Sequence, residues 1–213
     1  MLQRSLIIIF GLLFTNSAYA HEFWISPVNY EIGINKPFEA HFRIGQNFNG
    51  SSYNFLETNT KRHEVMQAGK VIQVSARNGD RPAFQLPGLP NGLAILVHET
   101  SNNVLKYTDF EKFINFVNHK SFQGLPQEHF SRGLPKIDFN ESYSRHAKSL
   151  VAIGDGAGKD VSVGLKIEII ALTNPYTDDL SNGMYVQVFM AGQPRTNVQV
   201  ELFERPINSR EGA

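Results

Sequence analysis

The sequence predicts a mainly β fold: a β-sandwich-like amino-terminal domain with one inserted helix, then a partial immunoglobulin-like β unit. Three observations carry this. Apolar residues alternate with polar ones over several short segments, Gly and Pro punctuate the intervals, and only one stretch has helical period. A 41% hydrophobic composition with 16 phenylalanines supplies a core and excludes a disordered chain.

Taken in order, residues 1–20 read as a secretory signal peptide. Arg4 is its basic start, 6–14 an apolar run broken by Gly11, and 15–20 a small-residue exit with Ala18 and Ala20 at the cleavage-defining positions. The run is too short to span a membrane, so cleavage after Ala20 is expected, leaving 193 of the 213 residues with no membrane anchor. From His21 onward strands dominate. Phe38, Ala40, Phe42 and Ile44 alternate with Glu39, His41 and Arg43, the pattern of a half-buried strand. Residues 71–74 and 93–98 are further strands, the second more fully buried, and 104–107 is a short partner strand after the 101–103 turn.

The helix follows. Thr108 and Glu111 have capping-box spacing, Phe110, Phe113, Ile114 and Val117 form one apolar face, and Gly124 and Pro126 are expected to end it. Residues 141–151 fit neither period cleanly and read as strand over their second half. The glycine-rich stretch 154–160 superficially suggests a phosphate loop. Its spacing is one residue short, Asp160 stands where Ser or Thr is needed, and no helix pattern follows, so it reads as a turn or linker. Residues 166–171, 184–190 and 197–203 predict three more strands. The organisation expected is therefore an amino-terminal β-rich domain over 21–153, a linker over 154–164 and a partial immunoglobulin-like unit over 165–213. An immunoglobulin sandwich needs roughly seven strands in about 100 residues, so that unit is expected to be shortened at its carboxyl end.

Composition narrows the chemistry. The chain has no cysteine, which rules out disulfides, thiolate zinc sites, a cysteine nucleophile and a lipid-modified amino terminus. Removing Arg4 from 20 basic residues leaves 19 against 20 acidic ones, with no basic stripe, so neither nucleic acid nor an anionic membrane is an expected partner. No Ser-His-Asp ordering, paired carboxylates or cofactor fingerprint stands out, and the chain is not read as an enzyme.

The distinctive chemistry lies at the cleavage point. Cleavage after Ala20 gives His21 a free α-amine beside its imidazole. With pKa values near ~8 and ~6.5, both nitrogens can be neutral donors near physiological pH. With no thiolate available, such a site suits nickel, cobalt, copper or zinc. Further donors are needed. His98 ends a rigid apolar strand, and His41 lies on a polar sheet face with Glu39 and Arg43; these are the expected second and third ligands. Glu22 is a candidate for binding or orienting the metal, and Trp24 for packing the new terminus onto the body. His63, between Arg62 and Glu64, reads as a surface residue, as does His119 opposite the helix stripe.

Four segments carry a resemblance in the right order: the 21–25 start, 43–50, 141–151 with Gly154, and Glu168 through Asn174-Pro175-Tyr176 to the 184–189 strand and Gly192-Gln193-Pro194. Through them the chain resembles a periplasmic family catalogued as domain of unknown function 4198. The resemblance implies an exported, mainly β protein, periplasmic or secreted, associated with nickel or cobalt uptake through an inner-membrane importer. Relatives continue further at the carboxyl end, so any ligand contributed there would be missing. Two alternatives from other classes stand beside this reading. One is a copper-dependent polysaccharide oxygenase, which would also clamp metal with a leading histidine. The other is a metal-free module that binds an envelope protein through its β surfaces.

Overall fold

The structure, a computed structural model, describes residues 21–205; the signal peptide read at 1–20 and residues 206–213 lie outside the described residues. The elements run β1 (Glu22–Pro27), β2 (Glu31–Ile32), β3 (Phe38–Gln46), β4 (Asn49–Tyr53), β5 (Thr60–Gln67), β6 (Lys70–Gln73), β7 (Phe84–Leu86), β8 (Gly92–Thr100) and β9 (Asn103–Tyr107). Then come α1 (Phe110–His119), α2 (Leu125–Ser131), β10 (Phe139–Tyr143), β11 (His146–Ile153), β12 (Ile167–Ala171), β13 (Val186–Met190) and β14 (Gln193–Pro194). The fold is mainly β, as the sequence predicts.

Two sheets form the sandwich. In the first, β3 is central, with β1 on one edge and β4 and β7 on the other. The second has the order β2-β11-β8-β5-β6, with every pairing antiparallel except β11 with β2. Period-two alternation turns Ile25, Phe38, Ala40, Phe42, Phe84 and Leu86 of the first sheet onto Val65, Ala94, Leu96, Ala147, Val151 and Ile153 of the second. The intervening residues of β8, Ile95 and Val97, pack on the other face beneath Val163 and Leu165. That two-sided burial explains the continuous apolar run of 93–97.

The helical module differs from expectation in three ways. Asp109, not Thr108, caps α1, its side chain accepting from the Lys112 amide at 3.0 Å. Gly124 and Pro126 open a second helix rather than only closing the first, because proline is tolerated in a first turn. The strand β9 pairs with β10 and not with β8, and this hairpin carries Tyr107 and Phe139 against Phe113 and Val117 of α1.

The glycine-rich stretch after β11 is held to the second sheet. The Leu93 amide donates to the Ala157 carbonyl at 2.9 Å, the Asp155 amide to Asn91 Oδ1 at 3.0 Å, and Asn174 Nδ2 to the Gly156 and Gly158 carbonyls. Beyond it, β12 and β13 form as predicted, followed by the two-residue β14. The expected strand at 197–203 is absent: Gln199 and Glu201 instead bind Ser121 and Lys120 at the end of α1.

Lys148 fixes this whole region. Nearly buried on β11, its ammonium lies 2.7 Å from Asp160 and 3.1 Å from Glu168. Glu168 also accepts from Ser162 Oγ and from the Val163 and Gly164 amides. Burial alone would raise the Glu168 carboxyl, but these donors and the Lys148 ammonium outweigh it and hold it below its ordinary value. Two outcomes are expected in urea unfolding. Lys148→Ala strands two buried carboxylates and lowers stability by about 3–5 kcal/mol. Because the folded carboxyl is the stronger acid, the Glu168 contribution is complete above the ordinary carboxylate range near ~4.3 and is lost as pH falls below it, so Glu168→Gln flattens stability against pH in that acid range.

Candidate functional site

The strand β1 begins at Glu22, with His21 exposed immediately before the ladder. Alternation then divides the residues that follow. Phe23 turns inward onto Phe42 at a ring separation of 5.2 Å, while Trp24 turns outward onto Phe48 at 5.3 Å. Phe48 occupies the β3–β4 turn together with Asn47, at φ of 57° and 52°. Left-handed backbone is uncommon for a residue this bulky, and here it brings the ring to Trp24. Both aromatic residues behind His21 therefore pin the strand, one on each face.

Arg145, in the connection just before β11, fixes His21. Its Nη1 donates to the His21 carbonyl at 2.8 Å, and its own amide donates to Thr100 Oγ1 at 2.9 Å. His21 borders two clefts. One, of about 380 Å³, is lined by Ile44, Gly45, Gln46, Asn49, Gly50 and Ser51. The other, of about 450 Å³, lies between the sandwich and the helical module, among Lys106, Tyr107, Lys112, Glu141, Tyr143 and Arg145. The one carboxylate of that wall, Glu141, accepts from the Tyr107 hydroxyl at 2.7 Å, and burial with this neighbour pushes the phenol upward. Lys106 pairs with Asp138 and Lys112 with Asp109, both near the surface, which leaves Arg145 as the cation set deepest beside His21. One residue on, Glu22 Oε2 is buried with no hydrogen-bond partner.

The other expected ligands lie elsewhere. His41 is on the outer face of the first sheet, half-buried, with Nδ1 3.1 Å from Ser52 Oγ. The strand places Phe42 inward and therefore His41 outward. His98 is in the sandwich interior, its ring 4.2 Å from Phe42 and 5.6 Å from Phe23. The structure does not bring His21, His41 and His98 together. Among the described residues no group of three or more His, Cys, Asp or Glu is placed to hold a metal ion.

The interior holds a residue that the sequence reading misplaced. His63, expected at the surface, is only 5% exposed and sits directly opposite His98 across the β5–β8 ladder. Its Nε2 bonds the Ala83 carbonyl at 3.0 Å, and its ring lies 4.1 Å from Phe84 and 4.9 Å from Phe55. Burial lowers its pKa to about 4, against the opposing effect of the Ala83 bond. Burial and then His63 lower that of His98 to about 3. Both imidazoles are therefore neutral. The signal was present: His63 and Val65 alternate with Arg62 and Glu64, but the charged neighbours masked it. By its packing, His98→Phe keeps a ring in the cluster and is expected to cost less than about 1.5 kcal/mol in chemical denaturation, whereas His98→Ala is expected to cost about 3–5 kcal/mol.

Comparison with known proteins gives one family match, to a family described as Domain of unknown function (DUF4198), over residues 18–213. No curated protein and no solved structure matches the chain.

Proposed function

We propose, from the premise that this chain belongs to the DUF4198 family, that it is an exported metal-binding accessory protein in which His21 leads the processed chain. In this reading it takes up a nickel- or cobalt-like divalent ion, or its chelate, in the periplasm and supports delivery to an inner-membrane importer. The observation that carries the reading is the placement of His21: exposed, at the rim of two clefts, with its backbone anchored by Arg145.

The donor chemistry follows from that placement. An α-amine and an imidazole on one residue close a chelate ring around a single ion, and a strand pinned by Phe23 and Trp24 holds them with little ordering left to lose on binding. Glu22, with its unpartnered buried oxygen, adds a carboxylate one residue along the chain. His41 and His98 do not fit this set, so the remaining coordination positions fall to water or to donors of an incoming chelator. Arg145 and the two lysines of the larger cleft suit a chelator that carries carboxylates.

The oxygenase alternative needs a second histidine clamping the metal with His21, and neither expected partner shares its surface. One observation favours the interaction module instead. The carboxyl-terminal sheet exposes Leu172, Tyr185, Val186 and Met190, with Leu202 beyond it, an apolar surface open to a partner.

Nickel and cobalt titration of the protein starting at His21 is the test, run beside a version with one alanine ahead of it. The extra residue converts the amine to an amide and is expected to weaken binding at least tenfold, about 1.4 kcal/mol or more. Equal affinity for the two forms would remove the role of the leading residue. Indifference of the metal-free protein to nickel, cobalt, copper and zinc would favour the interaction module.

A further inference from the structure

We infer that His63 and His98 form a second, buried site that takes a single soft monovalent cation of the copper(I) class between their Nδ1 atoms. The site is independent of His21 and stands or falls apart from the reading above.

The argument starts from which nitrogen carries the proton. His63 Nε2 bonds the Ala83 carbonyl at 3.0 Å. A carbonyl can only accept, hence Nε2 carries the hydrogen of neutral His63 and its Nδ1 presents a bare lone pair. Both Nδ1 atoms are buried and without a partner, on residues 5% and 3% exposed. The rings meet edge to face across the ladder, at 84° with centroids 5.6 Å apart. Two adjacent buried ring nitrogens without partners, that of His63 a bare acceptor, are an arrangement that a cation held between them would satisfy.

The surroundings select that body. Period two places Glu64 and Glu99 on the opposite face of the sheet, so the charged neighbours in sequence do not reach the cage. The walls are rings: Phe42 and Phe23 beside His98, Phe84 and Phe55 beside His63. Divalent nickel, cobalt or zinc would bring two charges and a demand for four or more donors into a cage with two neutral nitrogens and no anion. A d¹⁰ monovalent ion is satisfied by two nitrogen donors set nearly opposite, and its single charge is stabilised by the aromatic faces. A route exists. A cavity of about 100 Å³, lined by His98 with Phe23, Phe42, Tyr53, Thr100 and Arg145, opens onto the His98 side of the pair.

The test uses His21→Ala protein, which removes the leading residue from consideration. Under anaerobic conditions copper(I) is titrated against a competing chelator, and silver(I) serves as a redox-stable probe for ¹⁵N NMR. The expected result is one retained equivalent of copper(I), an X-ray absorption spectrum fitted by two nitrogen neighbours without sulfur, and silver-induced shifts of the Nδ1 resonances of both histidines. His63→Phe and His98→Phe, each added to this background, keep a ring in the cage and are expected to lose the bound equivalent while retaining the folded spectrum. Two variants are used so that a folding defect in one leaves the other decisive. Failure of the folded His21→Ala protein to retain copper(I), coordination through methionine sulfur, retention unchanged by both substitutions, or a water bridging the two Nδ1 atoms in copper(I)-treated crystals would each overturn the site.

Discussion

Two sheets of a sandwich touch only through side chains, and at one end of this molecule the contact is a cluster of six rings. Phe23 and Phe42 come from the first sheet, Phe84 from its edge strand and Phe55 from the loop before β5, all packed on His63 and His98 of the second. A buried phenylalanine contributes about 1.5–3 kcal/mol, and a well-placed ring pair adds about 0.5–1.5 kcal/mol. A neutral imidazole joins such a cluster at little cost when a ring hydrogen is met, as the Ala83 carbonyl meets that of His63 Nε2. The position of β1 depends on this cluster, because Phe23 is its inward anchor beside His21.

The same cluster separates the two kinds of nitrogen chemistry in the protein. His21 lies outside it, exposed and tied to Arg145; His63 and His98 lie within it, neutral and shielded from carboxylates. Phe23 stands between these environments. A ligand at His21 meets water, a basic cleft and a nearby acid, whereas one at the inner pair meets two buried ring nitrogens and aromatic faces. Sites so different in dielectric and charge suit different ions.

The other half of the molecule is organised by charge. Lys148 draws Asp160 and Glu168 onto the outer face of the second sheet, and the segment carrying Val163 and Leu165 closes over Ile95 and Val97. A buried ion cluster of this kind adds less net stability than an apolar core would, but each member is costly to lose because its partners remain buried. It also explains why 154–164, polar and glycine-rich in sequence, is ordered against the body: its carbonyls and carboxylates have assigned donors.

Local pattern determined much of this architecture by itself. Alternation over 38–44 fixed which side of β3 faces the core, the apolar run 93–97 fixed a strand buried on both faces, and the Phe110-Phe113-Ile114-Val117 spacing fixed the packed face of α1. These follow from side-chain period, a property of neighbours along the chain. The family resemblance was also legible in the sequence, and the match over residues 18–213 shares its extent. Tertiary structure alone decided which side chains meet. His63 looked solvated between Arg62 and Glu64, yet register sets it against His98; His41 and His98 looked like co-ligands of His21, yet one faces out of the sandwich and the other into it. The residues at 197–203 had strand character, but Gln199 and Glu201 bond Ser121 and Lys120 just after α1 instead. Which strands pair, and in what register, depends on contacts between residues far apart in the chain, and that is information no local period contains.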